Sequence, residues 1–288
     1  MFPTLKKTIA AVAFVIAFAV VASPLNYLPP ASQVIGYLNV STLLKHPEFQ
    51  QVIPMLNEEI KNEGISVADF DGKLALGIDF ESKANKMQAN VNFALELKRP
   101  TAKKIFESIA KENPKAKFTL KGKPAWQEGD GRIILFSDRV LIAQIHVEGK
   151  KTFLDYSNGS FLQKEAPQLE LFDAAAVANV PDILANVGEI EGGAKEFFSK
   201  IKVAALFLKN QNNNNVDVLL SLEFKSAKDA DQMAPFLDQM IENFKNQNPT
   251  AQFLLNKITR NKQGKTLFFR LQLNNNEILK IKQTIKAE

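Results

Sequence analysis

From residue 34 onward, the spacing of apolar positions switches repeatedly between two and about 3.6 residues. In Lys73–Phe80, Leu74, Leu76, Ile78 and Phe80 alternate with Lys73, Ala75, Gly77 and Asp79. Val91–Lys98 does the same, with Phe93, Leu95 and Leu97 on one side. Alternate residues of a strand face opposite ways, so both stretches predict half-buried strands. Around Pro47 the period changes: Phe49, Val52, Ile53, Leu56 and Ile60 fall on one helical face. Val34–Val40 reads as a strand before it, Ser41 as a cap for the next turn, and Pro47 as a first helical residue. Pro54 should kink this helix, having no N–H to donate, and Gly64 should stop it. Ala102–Asn113 predicts a second helix with Ile105, Phe106 and Ile109 inward. Strands are expected at 117–120, 125–127, 132–136 and 140–147, joined by turns at Gly122, Asp130-Gly131 and Ser137-Asp138. A short helix at Lys150–Tyr156 closes this half.

The second half echoes the first. "AVANVPDIL" (176–184) keeps the frame of "GYLNVSTLL" (36–44), with Asn179-Val180 in the place of Asn39-Val40. "VLLSLEFKSAKDADQM" (218–233) follows "VNFALELKRPTAKKIF" (91–106), and Lys202–Leu208 takes the place of Lys73–Phe80. "AQFLLNKI" (251–258) aligns with the strand-bearing "AKFTLKGK" (116–123), and "KTLFFRLQL" (265–273) with "GRIILFSDR". Ala230, Met233, Leu237, Met240, Ile241 and Phe244 mark a helix, and Glu277–Lys286 a final one. The expected fold class is α+β: two tandem copies of an antiparallel sheet unit with helices packed on one face, at 34–159 and 171–288. Residues 157–172 are the expected junction, and the asparagine run at 210–215 an exposed hairpin loop.

The N-terminus follows another pattern. Lys6 and Lys7 precede an uncharged apolar run, Ile9–Ala22, and small residues stand before Ser23. The run is about 14 residues, short of the roughly 20 that span a bilayer. Residues 1–22 therefore read as a signal peptide, with an uncleaved anchor as the alternative. The proline-bearing stretch 23–33 reads as an extended linker. Cleavage removes two lysines and no acid, taking the formal charge from +5 to +3. The expected location is extracytoplasmic, periplasmic or secreted. At 288 residues, two domains are the natural division.

Composition narrows the chemistry. There is no cysteine, which excludes disulfides, thiolate metal sites and a cysteine nucleophile. Two histidines leave little for imidazole-based catalysis. The 22 phenylalanines, against three tyrosines and one tryptophan, suit cores without polar handles. No nucleophile elbow, phosphate loop, His-Glu-x-x-His or dinucleotide fingerprint occurs. Asp69, Asp71 and Gly72 resemble part of a calcium loop, but the first ligand position would fall on Val67; "ADFDGK" reads as a turn into a strand. Asp79 and Glu81 share the polar side of a strand and read as a solvated pair. His146 with Glu148 is a His–carboxylate pair at strand spacing, too few ligands for a metal. His46 reads as the residue before the helix proline. No catalytic, cofactor or metal residue is assigned, and no cofactor is expected. The basic stretch that begins at Lys98 offers Lys98, Arg99, Lys103, Lys104, Lys121 and Lys123 as contacts for an anionic surface. No nucleic-acid partner is expected of an exported chain.

The run "YLNV…LLKHPEFQQVIPMLNEEI…GISVADFDGKLALGIDF", followed by "FALELKRPTAKKIFESI", resembles uncharacterised exported bacterial proteins. In these a short strand leads to a proline-containing helix and then a strand–strand–helix block, often twice. The resemblance implies a fold and an export route, and no activity. The resulting expectation is a non-enzymatic binding or scaffold protein of the cell envelope, its partner a macromolecule or envelope component. A carrier of a lipid-like ligand between sheet and helices is the alternative, and a divergent hydrolase the third.

Overall fold

The computed structural model describes residues 25–29, 32–83, 86–147, 169, 171–186, 193–211, 215–247, 249–274 and 276–278. The protein mixes helices with extensive antiparallel sheet, and the chain divides into two compact units, Met1–Ala176 and Val177–Glu288.

Unit 1 opens with β1 (Val34–Leu38), α1 (Val40–Lys45) and α2 (Pro47–Ile60). A six-stranded sheet follows: β2 (Gly72–Lys83), β3 (Lys86–Leu97), β4 (Lys117–Leu120), β5 (Lys123–Glu128), β6 (Gly131–Leu135) and β7 (Val140–Val147), with α3 (Ala102–Ala110) between β3 and β4. The order across the sheet is β2-β3-β7-β6-β5-β4, every pair antiparallel. The alternation read from the sequence decides which face is which. Leu74 lies opposite Leu95, and Leu95 opposite Leu141. This face packs with Ile105 and Phe106 of α3, Leu56 and Ile60 of α2, and Trp126. Trp126 is fully buried, and its indole N–H donates to the Asn113 carbonyl at 3.1 Å, which satisfies the one polar atom it brings inside.

Local chemistry sets the corners. Asn39, not Ser41, caps α1: its Oδ1 accepts from the Thr42 N–H at 3.2 Å. Ser41 lies inside the helix, buried, and donates to the Gly72 carbonyl at 3.2 Å. Pro47 begins α2, and Pro54 does not end it. Pro54 and Gln50 are both exposed, so the Gln50 carbonyl that Pro54 leaves without an N–H can meet water. Gly64 closes the turn after α2 with φ 69°, a conformation that costs glycine nothing. At the β4–β5 hairpin Lys121 and Gly122 both take positive φ, 49° and 76°, as a two-residue turn between twisted strands requires.

Unit 2 begins within β8 (Ala174–Asn179) and continues with α4 (Val180–Asn186), α5 (Gly193–Lys200), β9 (Ile201–Gln211), β10 (Asn215–Phe224), α6 (Ala227–Gln247), α7 (Pro249–Leu255), β11 (Thr259–Gln263) and β12 (Thr266–Asn274). The strands run β8-β9-β10-β12-β11. Gln211 pairs with Asn215, so the asparagine run does form a hairpin between β9 and β10; its tip lies outside the described residues. Helix α6 lays Met233, Leu237 and Ile241 against Leu222, Phe224, Leu267 and Phe269. The segment 251–258 is not the strand its alignment with 116–123 suggested. Pro249 starts a helix there, and the strand comes later, at Thr259. The helix expected at 150–156, all but residues 277–278 of the one expected at 277–286, and most of the junction at 157–172 lie outside the described residues. Ahead of the helical residues 276–278 the Asn274 side chain accepts from the Glu277 N–H at 3.1 Å, while Glu277 Oε2 accepts from the Asn274 N–H at 2.9 Å.

Gly72 marks a close approach of backbones. A Cβ there would lie 2.1 Å from the Glu96 carbonyl oxygen and 2.8 Å from Leu97 Cα. Backbone on a neighbouring strand cannot step aside as a side chain can. Gly72→Ala is expected to lower unfolding stability by about 3 kcal/mol in urea titration; a loss under about 0.5 kcal/mol would show that the strands separate freely there.

Candidate functional site

The second face of the unit 1 sheet carries the notable chemistry. Asp79 of β2 lies opposite Asn90 of β3, which lies opposite His146 of β7. One step along, Gly77, Asn92, Gln144 and Arg132 form a second row across β2, β3, β7 and β6. Two-residue spacing places both rows on one face. Asp79, Asn90, Asn92, Gln144 and His146 are all buried, Asn92 at 1% exposure.

Hydrogen bonds run along both rows. Asn90 Nδ2 donates to Asp79 Oδ2 at 3.3 Å, and Asn90 Oδ1 meets His146 Nδ1. Gln144 Nε2 donates to Asn92 Oδ1 at 2.8 Å, and Arg132 Nε donates to Gln144 Oε1 at 3.0 Å. Leu28, Ser32 and Gln33, ahead of β1, lie against this face. Gln33 donates from Nε2 to the Phe80 carbonyl at 3.0 Å and to Asp79 Oδ1 at 3.4 Å. Ser32 fills the space left by Gly77, where a Cβ would lie 2.5 Å from Ser32 Oγ and 3.3 Å from Leu28 Cδ2. Leu25 and Leu28 are buried, and Tyr27 packs on Phe136 with ring centroids 4.7 Å apart. Within the proline-bearing stretch read as an extended linker, Leu25, Leu28, Ser32 and Gln33 are buried.

Asp79 is therefore not half of a solvated pair: it is 7% exposed, beneath Gln33 and beside Asn90. Its alternation with apolar residues is real, but the polar side of this strand is covered. His146 is bound to Asn90; Glu148 lies outside the described residues. His46 stands between α1 and α2, its N–H donating to the Leu43 carbonyl at 2.9 Å. The sequence does carry a signal for the rest of the row. Asn90 and Asn92, and Gln144 and His146, stand two apart on the side opposite Phe93, Leu95 and Leu141, in strands that pair.

Asp69 and Asp71 act locally. Asp69 Oδ2 accepts from the Ser66 N–H at 2.8 Å and from Lys104 at 2.6 Å. Burial pushes its pKa up, but the hydrogen bonds from Lys104 and Ser66 outweigh that and hold it below the ordinary value. Asp71 lies 3.4 Å from Lys98. Of the basic residues considered for an anionic surface, Lys98, Arg99, Lys103 and Lys104 sit at the β3–α3 connection and the start of α3, whereas Lys121 and Lys123 flank the β4–β5 turn. Lys123 Nζ lies 4.9 Å from the Phe136 ring centroid. Among the described residues, no group of three or more His, Asp or Glu side chains is placed to hold a metal ion.

Unit 2 shows a different surface. On α6, Phe236 and Met240 are 44% and 50% exposed, one helical turn apart. Phe197 of α5 lies 5.8 Å from Phe236 and 5.2 Å from Phe198, which is itself exposed. Leu206 of β9 lies opposite Leu220, on the sheet face that α6 covers, and remains 47% exposed. Glu223 sits between Lys202 at 3.2 Å and Lys265 at 2.7 Å. Burial raises its pKa, and those two lysines more than reverse the effect.

No family model matches the chain, and no curated protein matches it. Among solved structures it is similar to three crystal forms of TP0453. Form III is 12% identical over 91% of this chain and 98% of that one, with a TM-score of 0.47. Form I gives 12%, 91%, 97% and 0.46. Form IV gives 10%, 88%, 95% and 0.49.

The central link in the polar face is Asn90. Asn90→Leu removes a donor from Asp79 and an acceptor from His146 at once, both buried. It is expected to cost about 3 kcal/mol in urea unfolding. A loss below about 0.5 kcal/mol would mean that the row contributes nothing to stability.

Proposed function

We propose that this chain is an exported, non-enzymatic binding or scaffold protein of the cell envelope, built from two copies of one α+β unit. Export is supported by Lys6 and Lys7 ahead of the apolar run Ile9–Ala22. The duplication is supported by the two strand-to-helix corners. Asn39 precedes a helix that starts at Val40, and Asn179 precedes one that starts at Val180. Asn179 also bonds Asp182, in the first turn of its own helix.

The observation that carries a binding role is the exposed apolar group of unit 2: Phe198 and Phe236, linked through Phe197, and Met240 one turn along from Phe236. Exposed aromatic and methionine side chains cost solvation without adding to the core, and grouped ones mark surfaces that another molecule covers. A second reading, a carrier of a hydrophobic ligand, is favoured by one feature of the same unit. Val216, Val218 and Leu220 of β10 are only half-buried along the face that α6 begins to cover.

Placing a photoreactive phenylalanine analogue at position 236 in living cells tests both. A discrete protein adduct, absent when the probe sits at exposed Lys228 of the same helix, is the expected result. An adduct of lipid mass instead would favour the carrier. Equal labelling at the two positions would overturn both readings.

A further inference from the structure

We infer that unit 2 receives an amphipathic helix of a partner protein, laid along α6 over Phe236 and Met240, where unit 1 uses its own helix α2. The inference names the kind of partner for the binding role of unit 2, and it rests on that reading and on the duplication.

The two units treat aligned positions alike. Leu97 and Phe224, which fall on each other in the sequence echo, end β3 and β10 and are both buried. The Leu97 N–H donates to the Arg139 carbonyl at 2.8 Å, and the Phe224 N–H to the Lys265 carbonyl at 2.9 Å. Arg139 stands just ahead of β7, and Lys265 just ahead of β12. The next residues, Lys98 and Lys225, donate from their N–H groups to the carbonyls of Asp71 and Lys200, each at 2.9 Å. Those acceptors stand just ahead of β2 and β9. Carried on into the helices, the same alignment sets Phe106 and Ala110 of α3 on Met233 and Leu237 of α6, and all four pack into their own unit's core.

The position between those two separates the units. Ile109 of α3 falls on Phe236 of α6. Ile109 packs into the cluster that holds Leu56 and Ile60 of α2. The chain leaving α2 is tied to α3 as well: the Glu63 carbonyl accepts from Ser108, and the Asn62 carbonyl from Lys111 at 3.2 Å. Phe236 and Met240, by contrast, are exposed. Chain length is the reason. Unit 1 has residues 46–71 between α1 and β2, which accommodate the 14 residues of α2. Unit 2 has only residues 187–200 between α4 and β9, and α5 takes 193–200 of these. A helix of α2's length does not fit in what remains. Helix α5 itself brings Phe197 to 5.8 Å from Phe236, which sets an aromatic wall beside the apolar side of α6. A groove of this kind takes a helix that carries apolar residues at helical spacing. Phe49, Val52, Ile53, Leu56 and Ile60 supply that stripe on α2, and the partner helix supplies its equivalent to unit 2.

The sequence of α2 is itself a probe. A fluorescent peptide of residues 47–63 carrying Pro54→Ala, which restores the N–H that proline lacks, is titrated against the full-length protein by anisotropy. The peptide is expected to bind saturably, and Phe236→Asp in the protein to weaken that binding about thirtyfold. Phe118→Asp, at an exposed aromatic of unit 1, should leave it unchanged. A peptide that also carries Leu56→Asp and Ile60→Asp should not bind. Absence of saturable binding by the first peptide would overturn the inference. Combined with a discrete protein adduct at position 236, that absence would leave the binding role standing; combined with equal labelling at 236 and 228, it would remove both. Binding unchanged by Phe236→Asp would place the peptide elsewhere, such as α2's own seat in unit 1, and overturn the inference too. A dimer of the protein that Phe236→Asp dissolves would make the occupant a second copy of this chain and overturn the partner helix.

Discussion

Asn90 is the residue on which the polar face of unit 1 depends. It stands between a carboxyl group and an imidazole, all three buried. A primary amide has a donor end and an acceptor end, and it can turn only one of them to each neighbour. With Nδ2 given to Asp79, Oδ1 is left for His146 Nδ1, and that nitrogen must carry the hydrogen. The state of one residue thus fixes its neighbour across three strands. The same arithmetic in the adjoining row aligns Arg132, Gln144 and Asn92. Such rows tolerate little substitution, because an amide replaced by an alkyl group takes one hydrogen bond from each of two buried polar neighbours.

That constraint explains why both faces of this sheet are covered by unlike means. The apolar face is sealed by helices whose side chains have no orientation to satisfy, only volume to fill. The polar face needs a cover that presents donors, and ahead of β1 the Gln33 side chain donates to Asp79 and to the Phe80 carbonyl. Gly77 makes the approach possible, since any side chain there would occupy the site of Ser32 Oγ. Unit 2 uses the opposite balance. Its ion pairs, such as Glu223 between Lys202 and Lys265, stay near solvent, and its apolar residues reach the surface.

Much of this fold is legible along the chain because alternation and helical spacing are local. β7 runs Val140–Val147, as its pattern implies, and α2 begins at Pro47. Other features depend on what lies across space. The alternation that put Asp79 opposite its apolar neighbours could not say that this side is covered, because the cover is a proline-bearing stretch with the composition of a spacer. Segment 251–258 took its expected state from an alignment, when its own Pro249 already marked a helix start. The polar row itself could be found in part. Asp79 and His146 stand out singly, whereas Asn90, Asn92 and Gln144 are ordinary residues until their strands are paired.

Nitrogen-15 NMR of the two-histidine protein, recorded in alkaline buffer where imidazoles are neutral and with His46→Gln to leave one signal set, reads the His146 tautomer directly. The hydrogen-bond row requires the hydrogen on Nδ1 and an unprotonated Nε2. A hydrogen on Nε2 instead would mean that Asn90 is turned the other way, and that the row does not organise this face.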